Sequence, residues 1–270
     1  MVVKRIITGV LIAVFIGVII WLGDPWFTLA AIAVAALGCL EFYRIVRTEN
    51  IQPLSILGVV FSVLFVLNAH SPFSITLSLL FALLTVVPLI WVLFQKNKDN
   101  AFINWGWTAA GVLYTGWLLS FYVLIRKFEN GMGWIFLVLA CTALCDVFAY
   151  AVGSTLGRHP MASSVSPGKT WEGAAGGLAA SVLFAVLLGL LFGLPLNWWQ
   201  MVLAGIIISL FSQMGDLIES LLKRNMKAKD TGSLLPGHGG ILDRIDSHLL
   251  VAPVAYFLIL LVNNQGWLPH

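Results

Sequence analysis

One segment of the chain, residues 220–246, brings charged side chains together around a glycine-rich loop. It reads SLLKRNMKAKDTGSLLPGHGGILDRID. Lysine and arginine can neutralise phosphate oxygens, and carboxylates are ligands that Mg²⁺ accepts together with substrate phosphates. Because the rest of the chain is mostly apolar, we interpret this segment as one wall of a functional site.

The helix predicted just before this segment carries polar groups on a single face. Asp216, Glu219, Ser220 and Lys223 are spaced i, i+3, i+4 and i+7, so they follow one side of a helix. A carboxylate at the centre of a bilayer costs about 2.5 kcal/mol or more, so such groups usually face protein or a water-filled cavity. For Glu219, a simple ion pair with a lysine at the helix end is the alternative.

Two further carboxylates, Asp243 and Asp246, are three residues apart and share a face if their segment is helical. Held close together they repel each other, and a hard divalent cation would relieve that repulsion. Arg244 could instead neutralise one of them. Asp216 and Asp146, which ends an otherwise apolar run, could supply further oxygen ligands. We therefore predict a metal site formed by Asp146, Asp216, Asp243 and Asp246.

The loop Pro236–Gly240 contains Gly237, Gly239 and Gly240 around His238. Glycine allows the backbone to come close to a ligand, and successive backbone N–H groups can form an anion-binding nest. A glycine-rich loop alone is weak support. Between a basic cluster and an Asp pair, it predicts a phosphate cradle.

A second polar stretch, Ser164–Gly173, contains Gly-Lys-Thr but does not fit a nucleotide-binding P-loop. The glycine required five residues before the lysine is Ser164, and we expect no strand ahead of it. We predict instead a cytoplasmic turn that presents Ser166, Lys169, Thr170 and Glu172. Glu172 also suits a helix N-terminus, so capping is an equal explanation for it.

The composition identifies an all-α integral membrane protein. Of 270 residues, 60% are hydrophobic and only 10% are charged, against about 25% charged in soluble domains. Since a span needs roughly 20 apolar residues, we predict about nine transmembrane helices, at residues 6–22, 26–45, 54–69, 73–94, 105–125, 133–151, 173–193, 198–221 and 248–263. Tryptophans near several of these ends, such as Trp21, Trp91 and Trp134, are typical of the membrane interface.

The basic residues predict the orientation. With the N-terminus in the cytoplasm and the C-terminus outside, 13 of the 15 lysines and arginines lie on the cytoplasmic side, as the positive-inside rule requires. Only Arg126 and Lys127 fall outside.

The two halves of the chain differ in their acidic residues. Residues 1–130 form a scaffold of about five spans whose main intramembrane charge is Glu41, for which a local pair with Arg44 is sufficient explanation. Residues 131–270 hold seven of the 12 acidic residues, so we place the catalytic region and a cytoplasm-facing polar cavity there. The apolar first half could be a homodimer surface or a lipid-facing scaffold.

Carboxylates that gather cations, beside bases that neutralise phosphates, are the groups that phosphoryl or nucleotidyl transfer requires. A membrane location indicates a lipid phosphate as one substrate. No nucleic-acid partner is expected.

The chain also resembles the phosphatidate cytidylyltransferase family, also called CDP-diacylglycerol synthase. The family signature runs over 27 residues, and this sequence supplies each of its fixed positions: Ser220, Leu222, Lys223, Arg224, Lys229, Asp230, Pro236, His238, Gly239, Gly240, Ile241, Asp243, Arg244, Ile245 and Asp246. The segments around Asp146, Ser166–Gly173 and Gln213–Asp216 are also similar to the family, so the likeness covers roughly residues 140–250.

This resemblance implies that CTP and phosphatidate give CDP-diacylglycerol and pyrophosphate, with Mg²⁺ and room for a second cation. It implies a multi-pass protein of the plasma (inner) membrane whose site faces the cytoplasm. The expected catalytic residues are Lys169, Glu172, Lys223, Arg224, Lys229, Asp230 and His238. The expected substrate-binding residues are Ser166, Thr170, Ser220, Gly237, Gly239, Gly240 and Arg244.

Two other functions remain as alternatives. A cation-coupled secondary transporter would use Asp146 and Asp216 as relays, but it predicts inverted repeats, and the sequence shows none. A CDP-alcohol phosphatidyltransferase would need an Asp-Gly…Ala-Arg…Gly…Asp…Asp pattern that is missing here.

Overall fold

A computed structural model describes residues 2–49, 51–71, 76–94, 98–232 and 239–263, with side chains in the first helix given at residue 9 and from residue 11 onward. These residues are mostly helical, as the apolar runs predict. The helices are α1 (Val2–Leu22), α2 (Trp26–Val46), α3 (Ser55–His70), α4 (Leu77–Leu93), α5 (Ala101–Gly111), α6 (Leu118–Arg126), α7 (Gly131–Leu156), α8 (Trp171–Leu191), α9 (Trp198–Asn225) and α10 (Leu242–Asn263). A π-helical segment, Val112–Trp117, joins α5 to α6 into one continuous rod.

Within these described ranges, a helix covers each place where a span is predicted. Six helices are long and apolar enough to cross a membrane, namely Trp26–Glu49, Ala101–Arg126, Gly131–Leu156, Trp171–Leu191, Trp198–Asn225 and Leu242–Asn263. Three apolar helices are shorter: Leu11–Leu22, Ser55–His70 and Leu77–Leu93. The protein is therefore a multi-pass, predominantly helical membrane protein, and the number of nine spans stays a prediction.

The segment between α7 and α8 is a two-stranded antiparallel hairpin, β1 (Pro160–Ala162) and β2 (Ser166–Thr170). The sequence predicts only a turn there, because it lacks the apolar alternation that marks a strand. The expectation that no strand precedes Gly168-Lys169-Thr170 is therefore wrong, because β1 lies ahead of this tripeptide. The tripeptide itself lies within β2 and not in a loop after a strand, so the arrangement still differs from a P-loop.

The chain forms two compact units that do not coincide with the predicted halves. Unit 1 consists of Met1–Leu124 and Asn225–Arg244, and unit 2 consists of Ile125–Arg224 and Ile245–His270. The scaffold and catalytic halves divided at residue 130 stay a prediction. Residues 225–244, which are most of the 27-residue segment, thus belong to the same unit as the N-terminal helices.

In unit 1, aromatic and aliphatic side chains of α3, α4 and the π-helical segment form a buried core. Phe65 and Leu80 are at its centre, and the rings of Phe65 and Phe81 meet edge to face at 5.2 Å. Tyr43 of α2 is also buried, and its hydroxyl donates to the Thr108 carbonyl oxygen at 2.7 Å. These contacts hold α3 against α4 and α2 against α5.

In unit 2, small residues let the helices approach backbone to backbone. A Cβ added at Gly177 of α8 would lie 2.8 Å from the Cys145 carbonyl oxygen of α7, and one at Gly215 of α9 would lie 2.7 Å from the Asp246 carbonyl oxygen of α10. Ser181 of α8 donates to the Gly205 carbonyl oxygen of α9 at 2.9 Å. Such contacts are typical of helices packed within membranes.

The tryptophans divide between surface and interior. Trp21, Trp91 and Trp198 are exposed, as interface residues should be. Trp134 is only 1% exposed, so its interpretation as an interface anchor is wrong. Buried and exposed tryptophans both occur near helix ends in this protein, so position in the sequence alone does not distinguish the two.

Candidate active site

Three of the four predicted metal-ligating carboxylates belong to unit 2. Asp146 lies on α7, Asp216 on α9 and Asp246 on α10, and the three are close enough for their charges to interact. The glycine contact between α9 and α10 explains part of this, because Gly215 directly precedes Asp216 and touches the backbone of Asp246. Asp246 is 9% exposed, so its carboxylate lies within protein and not in bulk water.

Lys169 supplies a positive charge to this group. Its Nζ lies 2.8 Å from Asp216 Oδ2, and its charge also reaches Asp146. The lysine is carried by β2, so the hairpin that the sequence did not predict is what delivers it. The structure thus brings together Lys169 and three carboxylates that are far apart in sequence.

Two side chains hold the Asp146 region in place. Ser212 donates to Asp146 Oδ1 at 3.1 Å. The Gln213 amide donates to Ser209 at 2.9 Å and to the Ala174 carbonyl oxygen at 3.3 Å, which ties α9 to α8. Sequence reasoning assigned no role to Ser212, and only its place one turn before Asp216 could have indicated it.

Further along α9, Lys223 forms an ion pair with Glu219 at 2.5 Å. Glu219 is fully buried, so the local pair that the sequence left as an alternative does form. Ser220 lies 3.5 Å from Asp216, a distance at which a hydrogen bond is weak. Arg224 reaches the hairpin, where its Nε donates to the Val165 carbonyl oxygen at 3.3 Å.

Glu172 fastens the start of the hairpin. Its Oε2 accepts from the backbone N–H groups of Arg158 and His159 at 3.1 and 3.2 Å, and its Oε1 meets His159 Nδ1 at 2.5 Å. Thr170 caps α8 by accepting from Gly173 N–H at 3.1 Å. Both side chains therefore have positioning contacts, and their roles toward substrate stay predictions, as does that of Ser166.

The charged signature residues Lys229, Asp230, Asp243 and Arg244 belong to unit 1. Lys229 and Asp230 are exposed, as is Arg244. Asp243 Oδ2 accepts from Thr231 Oγ1 at 2.8 Å, from Thr231 N–H at 3.0 Å and from Gly240 N–H at 2.8 Å. This carboxylate thus organises the loop around it, and its role as a metal ligand stays a prediction.

The glycine-rich loop is only partly described. Gly239 has a φ of +78°, a conformation that side-chain-bearing residues rarely adopt, so glycine is required at this position. The predicted site residues Gly237 and His238 lie outside the described residues, together with Pro236.

The donor chemistry of unit 2 fits Mg²⁺. Asp146, Asp216 and Asp246 offer only carboxylate oxygens, which are the ligands that hard dications prefer. Among the residues that the structure describes, no three acidic, histidine or cysteine side chains are arranged as a metal site. The Lys169 ammonium already pairs with Asp216. A bound cation would therefore either share the Asp216 carboxylate with Lys169 or displace the lysine from it.

The fold and this group of side chains define a multi-pass membrane protein with carboxylates and a lysine gathered where its helices pack. Comparison with known proteins specifies the family. A model of the cytidylyltransferase family matches residues 3–262, so the chain belongs to the cytidylyltransferase family.

Individual relatives cover almost the whole chain. A phosphatidate cytidylyltransferase of Bacillus subtilis (strain 168) is 33% identical, with 96% of this chain and 98% of the relative aligned. One of Synechocystis sp. is 32% identical over 96% of this chain and 97% of the relative. One of Brucella abortus is 34% identical over 93% of this chain and 91% of the relative.

Proposed function

We propose that this protein transfers the cytidylyl group of CTP to phosphatidate, forming CDP-diacylglycerol and pyrophosphate. The Lys169–Asp216 ion pair beside Asp146 and Asp246 is the observation that carries the proposal. It combines a phosphate-binding cation with the carboxylates that a nucleotidyltransferase uses to hold a dication. The names of the relatives and the complete signature support the same reaction.

In this reaction a phosphate oxygen of phosphatidate forms a bond to the α-phosphorus of CTP. The bond between that phosphorus and the oxygen bridging to the β-phosphate breaks, and pyrophosphate leaves. The attacking phosphate is already ionised near neutral pH, so no strong general base is needed. The catalytic demand is therefore to position two anionic substrates and to balance their charge.

The basic side chains meet this demand by binding phosphate oxygens. We assign Lys169, Lys223, Arg224 and Lys229 to the triphosphate and to the leaving pyrophosphate, because charge-assisted hydrogen bonds to phosphate are strong. Asp230 would orient a lysine, and His238 would bond a phosphate oxygen. Gly237 and Gly239 would approach the nucleotide through their backbone N–H groups. Gly240 would let the backbone come close to the nucleotide, since its own N–H is bound by Asp243.

The carboxylates have the complementary role. Asp146, Asp216 and Asp246 of unit 2 would hold Mg²⁺. The sequence-based prediction also includes Asp243 as a ligand and room for a second cation. When bound, the dication neutralises charge that develops on the transferred phosphate. Ser212 would keep Asp146 turned toward this group, and the Lys169 ammonium would limit the repulsion among the carboxylates before substrate arrives.

We further propose nine spans, with the N-terminus in the cytoplasm and the C-terminus outside. The distribution of the basic residues supports this topology. In this topology the protein lies in the plasma (inner) membrane, and its catalytic groups would face the cytoplasm, where CTP is available. A homodimer through the apolar first half stays a prediction.

The direct test supplies the purified protein in detergent with Mg²⁺, phosphatidate and CTP labelled at the α-phosphate. The wild type should form a labelled CDP-lipid, and Asp246→Ala should form none above background. Glu129→Gln, which changes an exposed acidic residue, should keep wild-type activity. No labelled lipid from the wild type, or full activity of Asp246→Ala, would contradict the proposal. CDP-diacylglycerol with an alcohol should give no product, which separates this reaction from that of a phosphatidyltransferase.

A further inference from the structure

Glu41, a residue of α2, is buried in unit 1 and has a long-range role that its sequence neighbours do not suggest. It is 1% exposed. Its Oε2 accepts from the Leu242 N–H at 2.8 Å and lies 3.4 Å from Thr231 Oγ1. The carboxylate thus contacts both ends of the segment 231–242, about 200 residues further along the chain. The simple pairing with Arg44 does not account for these contacts.

The contact with Leu242 is the one that α10 needs. The first N–H groups of a helix lack partners within the helix, and a capping side chain normally satisfies them. The residue before α10 is Ile241, which has no acceptor in its side chain. Glu41 provides that acceptor from another helix, and its negative charge also suits the positive end of the helix dipole.

The backbone of the segment lies directly against the carboxylate. A Cβ added at Gly232 would lie 2.5 Å from Glu41 Oε1, and one at Gly240 would be closer still to Oε2. Glycine at these two positions therefore leaves room for Glu41. The Glu41 carboxylate thus packs against two glycines that are far from it in the sequence.

The carboxylate also joins the network around Asp243. Thr231 donates from Oγ1 to Asp243 Oδ2 at 2.8 Å, and Gly240 N–H donates to the same oxygen. Glu41 and Asp243 therefore hold the segment from two sides, with Thr231 between them. These contacts fix the described residues Thr231 and Gly240 relative to the first turn of α10.

The short 3₁₀ helix that follows α2, Arg47–Glu49, contacts the residues just before this segment. Thr48 Oγ1 donates to the Met226 carbonyl oxygen at 3.0 Å, and Lys227 pairs with Glu49 at 2.9 Å. The latter contact is at the surface, since the Lys227 side chain is 79% exposed. Glu49 therefore offers a matched control, because it is an acidic residue just after α2 that contacts the chain ahead of the segment at the surface.

The geometry points to Glu41 as a positioning residue of the cytidylyl transfer: it holds Thr231, Gly240 and the first turn of α10 in the conformation that binds the phosphates of the nucleotide. This inference rests on the proposed function for its kinetic consequence. The structural consequence is independent of the proposed function: the segment should loosen when the carboxylate is removed.

Two measurements on the full-length protein test the inference. Glu41→Ala should lower kcat/KM for CTP by about tenfold to a hundredfold, because buried donors lose their acceptor. The KM for phosphatidate should stay within about twofold of wild type, since the loop is assigned to the nucleotide. Hydrogen exchange of peptides covering residues 226–232 and 239–246 should become faster, with or without enzymatic activity.

The control variants separate positioning from general stability. Glu41→Gln keeps a carbonyl oxygen that can accept from Leu242, so its CTP defect and its exchange rates should lie between those of wild type and Glu41→Ala. It also decides the question if Glu41→Ala does not fold. Glu49→Ala should keep the wild-type KM for CTP. A purely structural role would reduce the yield of folded enzyme and leave the KM of the folded fraction unchanged.

The inference is overturned if Glu41→Ala, or Glu41→Gln where Ala does not fold, has either the wild-type kcat/KM for CTP or the wild-type rate of hydrogen exchange. Equal defects in Glu49→Ala would also overturn it. If the wild type forms no CDP-lipid, the proposed function fails, and faster exchange in Glu41→Ala would still support the anchoring of the segment.

Discussion

Lys169 offers the sharpest test of the unit 2 site. Lys169→Met removes the ammonium that lies 2.8 Å from Asp216 and keeps an unbranched side chain. If the ammonium binds a CTP phosphate, its loss removes a hydrogen bond to a charged group worth about 1.5–3 kcal/mol. Each 1.36 kcal/mol is a factor of ten in rate, so kcat/KM for CTP should fall by about tenfold to a hundredfold.

The same substitution should change stability far less. The Lys169 Nζ is buried, but the Asp216 side chain is 37% exposed, so water partly screens the pair. Ion pairs with this degree of exposure contribute about 0.2–1 kcal/mol. The free energy of unfolding should therefore fall by no more than about 1 kcal/mol, which is smaller than the expected loss of transition-state stabilisation.

Lys227→Met is the matched control, because Lys227 pairs with Glu49 at 2.9 Å but is 79% exposed. It should leave both stability and kcat/KM for CTP close to wild type. The assay is the rate of labelled CDP-lipid formation at varied CTP, together with the thermal unfolding midpoint in the same detergent. Wild-type kcat/KM in Lys169→Met, or the same loss in Lys227→Met, would refute the reasoning.

Three further predictions concern packing, the hairpin and topology. Gly215→Ala should destabilise the protein by about 1–3 kcal/mol through overpacking and reduce activity, because its Cβ would meet the Asp246 carbonyl oxygen. Gly106→Ala is the control, because a Cβ there meets nothing within 4 Å. In the same thermal-unfolding and activity assays it should change neither stability nor activity. Glu172→Ala should speed tryptic cleavage after Arg158, whereas Glu172→Gln keeps an acceptor and should do so less; equal rates would contradict the anchoring contact. An enzymatic reporter fused after His270 should be active only outside the cytoplasm.

The helices could be predicted from the sequence because their signal is local. A run of apolar residues long enough to span a bilayer is visible in any window of about 20 residues. The same locality explains the grouping of Asp216, Glu219 and Lys223 on α9, since residues three and four apart share a helix face. The pairing of Lys223 with Glu219 was therefore within reach of sequence reasoning.

Contacts between distant residues were not predictable in this way. Glu41 has Arg44 three residues away, and this local partner concealed its contacts with Thr231 and Leu242. The hairpin was missed because residues 160–170 contain Pro160, Pro167 and Gly168, which are residues that strands usually avoid. Its strands depend on antiparallel pairing across a short turn, and no periodicity in the sequence records that pairing.

The length of α9 between its first tryptophans and Asp216 determines how deep Asp216 lies in the membrane. It begins with the exposed Trp198 and Trp199, and Asp216 follows Trp199 by a helical rise of about 26 Å at 1.5 Å per residue. That length is slightly less than the hydrocarbon thickness of about 30 Å. If the tryptophans stay at one interface, a thicker bilayer places Asp216 still deeper below the lipid headgroups of the other interface. Product formation in vesicles should therefore slow as the acyl chains of the host lipid lengthen, even when the phosphatidate itself is unchanged.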